Sequence, residues 1–482
     1  MKKILIYIVL IWVFSSLIWY VIEKGNLIVC QTHVTSSIQN VTLADSSKPV
    51  VIDSNANVVN QFLNNIKNPL SILLLQVIII LFTSRIFGII FRKLGQQTVI
   101  GEIIAGVFLG PSILGLLFPE LFSFLFPHNS FLSLQFLSQI GLTFFMFVIG
   151  MELDLSKIKS KTHDAVIISH VSILFPFFLG SCVSYYIFQG LAPKGVNFLS
   201  FALFMGIAMS ITAFPVLARI IKERGLTKTP LGVLAITCAA ADDVTAWCLL
   251  AAAIAIVKAG SITSSLFTIG LAIAYIVFML YVIKPWLQKI SEKRMKADTV
   301  GKIVIGISFF LLLLSAYFTE IIGIHALFGA FIAGVVMPNN IRFKEILADK
   351  VEDVSTILLL PIFFAFTGLR TQIGLLNEGH LWTFCILIIS VAIIGKLVGS
   401  AFTAKIVGRT WKDSLSLGAL MNTRGLMELI VLNIGYDLGV FGPELFSIMV
   451  IMALFTTFMT GPLLDFVNFS FKKFSNAERN VS

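Results

Sequence analysis

Residues 238–251 read CAAADDVTAWCLLA, two adjacent carboxylates, Asp242 and Asp243, inside a run of small and apolar residues. A carboxylate at mid-depth of a membrane costs several kcal/mol on most scales, so a pair there marks a functional site by default. Adjacent helical residues point about 100° apart, so one acid can line a cavity while its neighbour turns toward a packed helix. A cavity carboxylate can hold either a proton or a desolvated Na⁺ or K⁺. Hard monovalent cations take oxygen ligands, and desolvation favours the protonated acid. The competing role for both acids is a structural ion pair with a neighbouring helix.

Other polar groups interrupt apolar runs at similar depth. Lys396, in IIGKLVGS, lies deep enough in its run to need a partner, and the best one is Asp242 or Asp243. Arg424 and Glu428 are spaced i, i+4 and can neutralise each other, a structural role more than a ligand role. Arg85 sits near the end of its run beside Arg92 and Lys93, where a long side chain reaches the interface. The six histidines show no metal spacing, and four of the five cysteines fall in apolar segments, so neither a resident metal, a cofactor nor a disulfide framework is expected.

The elements that must carry these groups are membrane helices. The chain has 482 residues, 57% hydrophobic and 12% charged, with 44 Phe and repeated apolar runs of helix length, which is the polytopic all-α membrane class. Runs bounded by charge, Pro or Gly fall near 70–91, 97–117, 130–150, 164–188, 197–221, 230–257, 263–285, 300–320, 323–338, 354–371, 380–402, 412–438 and 443–466. That predicts about thirteen core helices. Lys and Arg gather in alternate loops, as at Lys157, Lys159 and Lys161 or Lys222, Arg224 and Lys228, while the opposite loops hold Lys194, Lys258 and Arg370. This asymmetry predicts an inner-membrane orientation with the C-terminus cytoplasmic, and it accounts for the net charge of +10 without nucleic acid. On a helix starting at residue 230, Asp242 lies about 18 Å along, near the middle of a core roughly 30 Å thick.

Two runs are broken at mid-depth, at SITAFPVLAR, where Pro215 should push Phe214 out of helical geometry, and at MNTRGLMEL around Asn422–Gly425. Broken membrane helices are tolerated where the freed backbone lines a cavity or is held by protein. The segments 164–188, 197–221 and 230–257 match 380–402, 412–438 and 443–466 in element order with opposite orientation, the pattern of an inverted repeat. Ahead of the bundle, residues 1–22 read as a signal-anchor helix, with a signal peptide as the alternative, and 23–68 as an external polar segment; 69–466 form the transmembrane domain and 467–482 a short cytoplasmic tail.

The segments GEIIAGVFLGPSILG (101–115), ITAFPVLARIIKERGL (211–226), AAADDVTAWCLLA (239–251), IHALFGAFIAGVVMP (324–338) and TRGLMELIVLNIG (423–435) together resemble the second monovalent cation:proton antiporter family. Its members include Kef-type and Nap-type bacterial antiporters and plant cation/proton exchangers. The resemblance covers about 69–466 and implies crossed discontinuous helices, a homodimer and an elevator-like movement. It implies Asp243 as the ion and proton carrier, with Asp242 before it and with Thr212 and Lys396 at matching positions. The short C-terminal tail departs from Kef-type systems, which carry a cytoplasmic nucleotide-binding regulatory domain, so regulation of that kind is not expected.

The leading reading is therefore exchange of protons for Na⁺ or K⁺ across the lipid bilayer. A sodium-coupled symporter of an organic anion is a rival on the same fold, since Asn422 and Arg424 offer amide and cationic groups. An intramembrane aspartyl protease needs two acids on separate helices with YD and GxGD motifs. Tyr436-Asp437 occurs, but no GxGD follows. A continuous channel suits single-ion acid sites poorly.

Overall fold

The computed structural model describes residues 12–13, 15–20, 65–66, 68–152, 163–259, 262–295, 302–338, 351–377 and 379–479. All regular structure among them is helical. In hydrocarbon every backbone N–H and C=O must be bonded internally, and a helix does this within one segment. The principal helices are α1 (Pro69–Lys93), α2 (Thr98–Leu109), α3 (Phe131–Glu152), α4 (His163–Leu191), α5 (Phe198–Ser210), α6 (Phe214–Glu223), α7 (Pro230–Ala259) and α8 (Ile262–Phe278). They continue with α9 (Lys302–Ile322), α10 (Ala326–Val335), α11 (Leu360–Arg370), α12 (Gly379–Ile406), α13 (Trp411–Met421), α14 (Leu426–Asp437) and α15 (Pro443–Arg479).

Among the described residues, eleven helical stretches are long and apolar enough to cross a membrane, and twelve if the bent pair α13 and α14 is one span. The one expected run not among these, 323–338, yields only the ten-residue α10, shorter than the bilayer core. Glycine and the positive φ of His325 start α10 late, and Pro338 follows soon after its end. The expected signal-anchor and polar segments, 1–22 and 23–68, lie largely outside the described residues. Past 466 the last helix simply continues to Arg479.

The helices pack as two groups. In the first, α1 and α2 pair, α11 packs on α2 and α3, and α10 packs on α3 and α9. Glycines permit this: a Cβ on Gly150 of α3 would stand 2.2 Å from the Phe331 carbonyl oxygen of α10, and one on Gly334 of α10 would stand 2.2 Å from that of Phe147. Gly106 of α2 and Gly368 of α11 make the same reciprocal approach, to Ala365 and Ile103. Without a hydrophobic driving force between helices in lipid, such backbone contact supplies the dispersion energy that holds them. The second group gathers α4, α5, α6, α7, α12, α13, α14 and α15, with α4 packed on both α5 and α12. Here the order long helix, broken helix, long helix occurs twice, as α4, α5/α6, α7 and again as α12, α13/α14, α15. The helix α8 touches α7 on one side and α9 on the other.

The first break spans Ile211–Ala213, which is extended, and Pro215 occupies the first turn of α6. This corrects the expectation that Pro215 displaces Phe214, which is helical. A proline needs no N–H in a first turn, and its ring instead clashes with the carbonyl four residues back, here Ile211, where the extended stretch begins. The second break runs from Asn422 to Gly425 and bends the pair by 42°. The breaks cross and bond to each other: the Ala213 N–H donates to the Thr423 carbonyl at 3.0 Å, and the Thr212 hydroxyl lies 2.9 Å from the Met421 carbonyl.

Candidate functional site

At the crossing, α7 presents Asp242 and Asp243 in different directions, and their surroundings differ in kind. Asp242 faces α4 and α12. Its Oδ1 accepts from the Ser169 hydroxyl at 2.6 Å, and its Oδ2 accepts from Ser172 at 2.9 Å and from Lys396 Nζ at 3.0 Å. The Thr212 hydroxyl also reaches Oδ2, at 3.0 Å. That hydroxyl has one proton and two acceptors, Asp242 and the Met421 carbonyl, so it can donate to only one at a time. Lys396 also lies 3.3 Å from the Ser172 oxygen. Asp242 and Lys396 are both fully buried, so their charges cancel inside the protein.

Asp243 is almost as deeply buried, yet neither of its carboxylate oxygens has a hydrogen-bond partner among the described residues. The Phe214 backbone N–H, at the start of α6, lies within its electrostatic reach. That end of a helix carries the positive pole of the macrodipole and orphan donors, which favours an anion without neutralising it.

Arg424 and Glu428, also fully buried, pair at 3.2 Å. Arg424 does more than balance that acid. Its two terminal nitrogens donate to the Ala208 and Met209 carbonyls at 2.7 Å each, in the last turn of α5. Those carbonyls lose their intrahelical partners where the helix stops, so a guanidinium there satisfies orphan acceptors at the negative end of the dipole. Its own backbone is held by the Thr457 hydroxyl, which accepts from the Arg424 N–H at 3.3 Å and donates to its carbonyl at 2.7 Å. Asn422, wholly buried in the second break, has both side-chain polar atoms unpartnered among the described residues.

The structure thus brings Asp242, Asp243, Thr212 and Lys396 together, and sets Arg424 and Glu428 on the adjoining half-helix. Arg85 is exposed on the outer face of α1, away from this cluster. Tyr436 and Asp437 lie at the far end of α14, where Asp437 pairs with Arg370 at 2.8 Å. No group of three metal-capable side chains occurs among the described residues. Ser169 and Ser172 were not singled out by sequence. Their only signal is the i, i+3 spacing of two hydroxyls in IISHVSIL, apolar apart from these and His170. The net result is one uncompensated acid, Asp243, beside two neutral buried pairs.

Comparison with known proteins gives consistent matches. The profile described as "Sodium/hydrogen exchanger, transmembrane" matches residues 78–469. The Na(+)/H(+) antiporter NhaS4 of Synechocystis is 45% identical over 398 residues, 82% of this chain and 97% of that protein. Cation/H(+) antiporter 17 of Arabidopsis thaliana is 39% identical over 86% of this chain, and K(+)/H(+) antiporter 1 of Saccharomyces cerevisiae is 34% identical over 85%. The chain spans about half the length of those two relatives, 51% and 48% respectively. In fold it is similar to the sodium proton antiporter MjNhaP1 of Methanocaldococcus jannaschii, with a TM-score of 0.59 over 84% of this chain and 98% of that one at 15% identity.

Proposed function

This chain belongs to the sodium/hydrogen exchanger family, a family of multi-pass membrane transporters rather than enzymes, and on that premise we propose that it exchanges protons for Na⁺ or K⁺ across the cytoplasmic membrane, with Asp243 as the carrier. The observation that carries the reading is the lone charge. Asp242 is balanced by Lys396 and Glu428 by Arg424, whereas Asp243 is buried with no ion-pair partner among the described residues, only the Phe214 backbone N–H being close enough to favour its charge. An uncompensated charge is costly inside a membrane. The site is therefore cheapest to move when Asp243 is neutral, either protonated or holding one monovalent cation. The two forms exclude each other at one carboxylate, which is the condition for exchange. Oxygen ligands for the cation would come from Thr212 and from the backbone freed at the two breaks.

The movement belongs to the same proposal: the second helical group, carrying the crossing, shifts as an elevator against the first, in a homodimer with the C-terminus cytoplasmic. A sodium-coupled symporter of an organic anion stays the alternative on this fold: the terminal nitrogens of Arg424 bond two carbonyls and Glu428, but Arg424 Nε and the Asn422 amide have no partner among the described residues.

The experiment is cation-driven proton flux in proteoliposomes, read with a pH dye on adding NaCl, KCl or LiCl. Wild type should respond to at least one cation. Asp243→Asn keeps the shape but can neither ionise nor carry a proton, so it should be silent while remaining folded. Full flux in Asp243→Asn would refute the carrier assignment.

A further inference from the structure

Trp247 stands one turn from Asp243 on α7. Residues four apart share a helix face, with about 5–6 Å between their Cβ atoms. A long side chain on a helix leans back over the preceding turn, so the indole covers the turn that bears Asp243. The ring is 3% exposed, yet its Nε1 has no hydrogen-bond partner among the described residues. A buried tryptophan N–H ordinarily finds an acceptor. An N–H without a partner among the described residues thus stands one turn from an acid that has no side-chain partner there, in an otherwise apolar stretch of α7. That is the signature of a surface that meets water or an ion at some stage, which a ring filling a dry core does not need.

What the indole touches is equally specific. It stacks on Phe331 of α10, with centroids 6.2 Å apart and planes 20° from parallel. The backbone beneath Phe331 is pressed against α3 at Gly150, so this ring is mounted on a firm part of the first helical group. Trp247 belongs to the second group. The stack is therefore where the face that carries Asp243 meets a wall that does not travel with it, on the side of Asp243 that leads to Lys258 and the end of α7.

We propose that the Trp247–Phe331 stack is the seal that closes Asp243 from the Lys258 end of α7, so that its carboxyl never opens to both sides of the membrane at once. The inference rests on the exchange reading above and adds what makes such exchange tight. If both sides reach the carboxylate together, a proton taken up from one side can leave to the other, and the site returns to its starting charge with no cation moved. Coupling then fails, although the carrier is intact.

The test uses the full chain in proteoliposomes with a pH gradient in choline thiocyanate, which supplies no transported cation and a permeant anion to dissipate charge. Wild type and Trp247→Phe, which keeps a stacking ring, should hold the gradient. Trp247→Ala should collapse it several-fold faster, and adding Asp243→Asn to Trp247→Ala should make the vesicles tight again. A ring that merely fills space would lower the melting temperature of Trp247→Ala without a leak, so a folded, monodisperse Trp247→Ala that holds the gradient overturns the proposal. A leak that survives Asp243→Asn overturns it as well. Should Trp247→Ala not fold, Phe331→Ala answers by the same two results. Cation-driven flux of the wild type is measured separately in the same vesicles, and its absence would overturn the exchange reading itself rather than the seal.

Discussion

Asp242 and Asp243 are chemically identical neighbours with opposite energetic roles. Asp242 accepts from two serine hydroxyls and an ammonium, so its charge is part of a balanced internal network. Removing either member of a buried pair leaves the other charge stranded, at a cost of about 3–5 kcal/mol. Asp242→Asn and Lys396→Gln should therefore each lower thermal stability markedly. The double variant should be milder than the sum of the two, because neither charge remains. Asp243→Asn removes a charge that has no ion-pair partner among the described residues, and its melting temperature should equal or exceed that of wild type. Thermal unfolding of the four variants in one detergent checks this ordering. A wild-type melting temperature that rises with added Na⁺ or K⁺, and does not rise in Asp243→Asn, would tie the stabilisation to that carboxylate.

At the scale of the element, the two breaks are held by each other more than by their own residues. Pro215 begins α6 where a proline is tolerated, while the extended stretch Ile211–Ala213 is pinned by the bond from the Ala213 N–H to the Thr423 carbonyl. Pro215→Ala should accordingly leave the break in place and the apparent KM for cation close to wild type. Thr212→Val, by contrast, removes the hydroxyl that lies between Asp242 and the Met421 carbonyl. It should cost about 1 kcal/mol of stability and raise the cation KM several-fold. Transport titrations of both variants separate the two causes. An unchanged KM in Thr212→Val would remove that residue from the site.

For the molecule as a whole, the proposed movement of one helical group against the other meets a polar clasp that joins them at one end. Arg370, ending α11, pairs with Asp437, ending α14, and reaches the Asn433 amide oxygen at 3.1 Å; Gln135 of α3 donates to the same Asp437 at 3.0 Å. The Arg370 guanidinium also lies over the Phe366 and Tyr436 rings, at 4.3 and 5.2 Å. An elevator cycle must open this clasp. In a background with the native cysteines replaced, Arg370→Cys with Asp437→Cys should lose exchange when bridged by a bifunctional methanethiosulfonate long enough to span the replaced arginine, and regain it with reductant. Full flux in the cross-linked protein would exclude relative movement at this point.

Much of this was legible in order along the chain. Apolar runs of membrane length announce the helices because hydrocarbon leaves the backbone no other way to bond, and the two interruptions announce the breaks because polar groups at mid-depth need a reason. A pair of acids at that depth, a lone lysine and an Arg–Glu spacing of four likewise mark the candidate site before any fold is known. Three things are not written locally. Which acid Lys396 takes depends on how α4, α7 and α12 rotate against one another, since neighbours 100° apart on one helix meet different partners. The place of the first break depends on Thr423, more than two hundred residues away, which supplies the acceptor for the Ala213 N–H. The meeting of Trp247 with Phe331 depends on two glycines that let α3 and α10 touch. A sequence states which groups must find partners; only the packed bundle decides which find them, and that Asp243, among the described residues, is left without a countercharge.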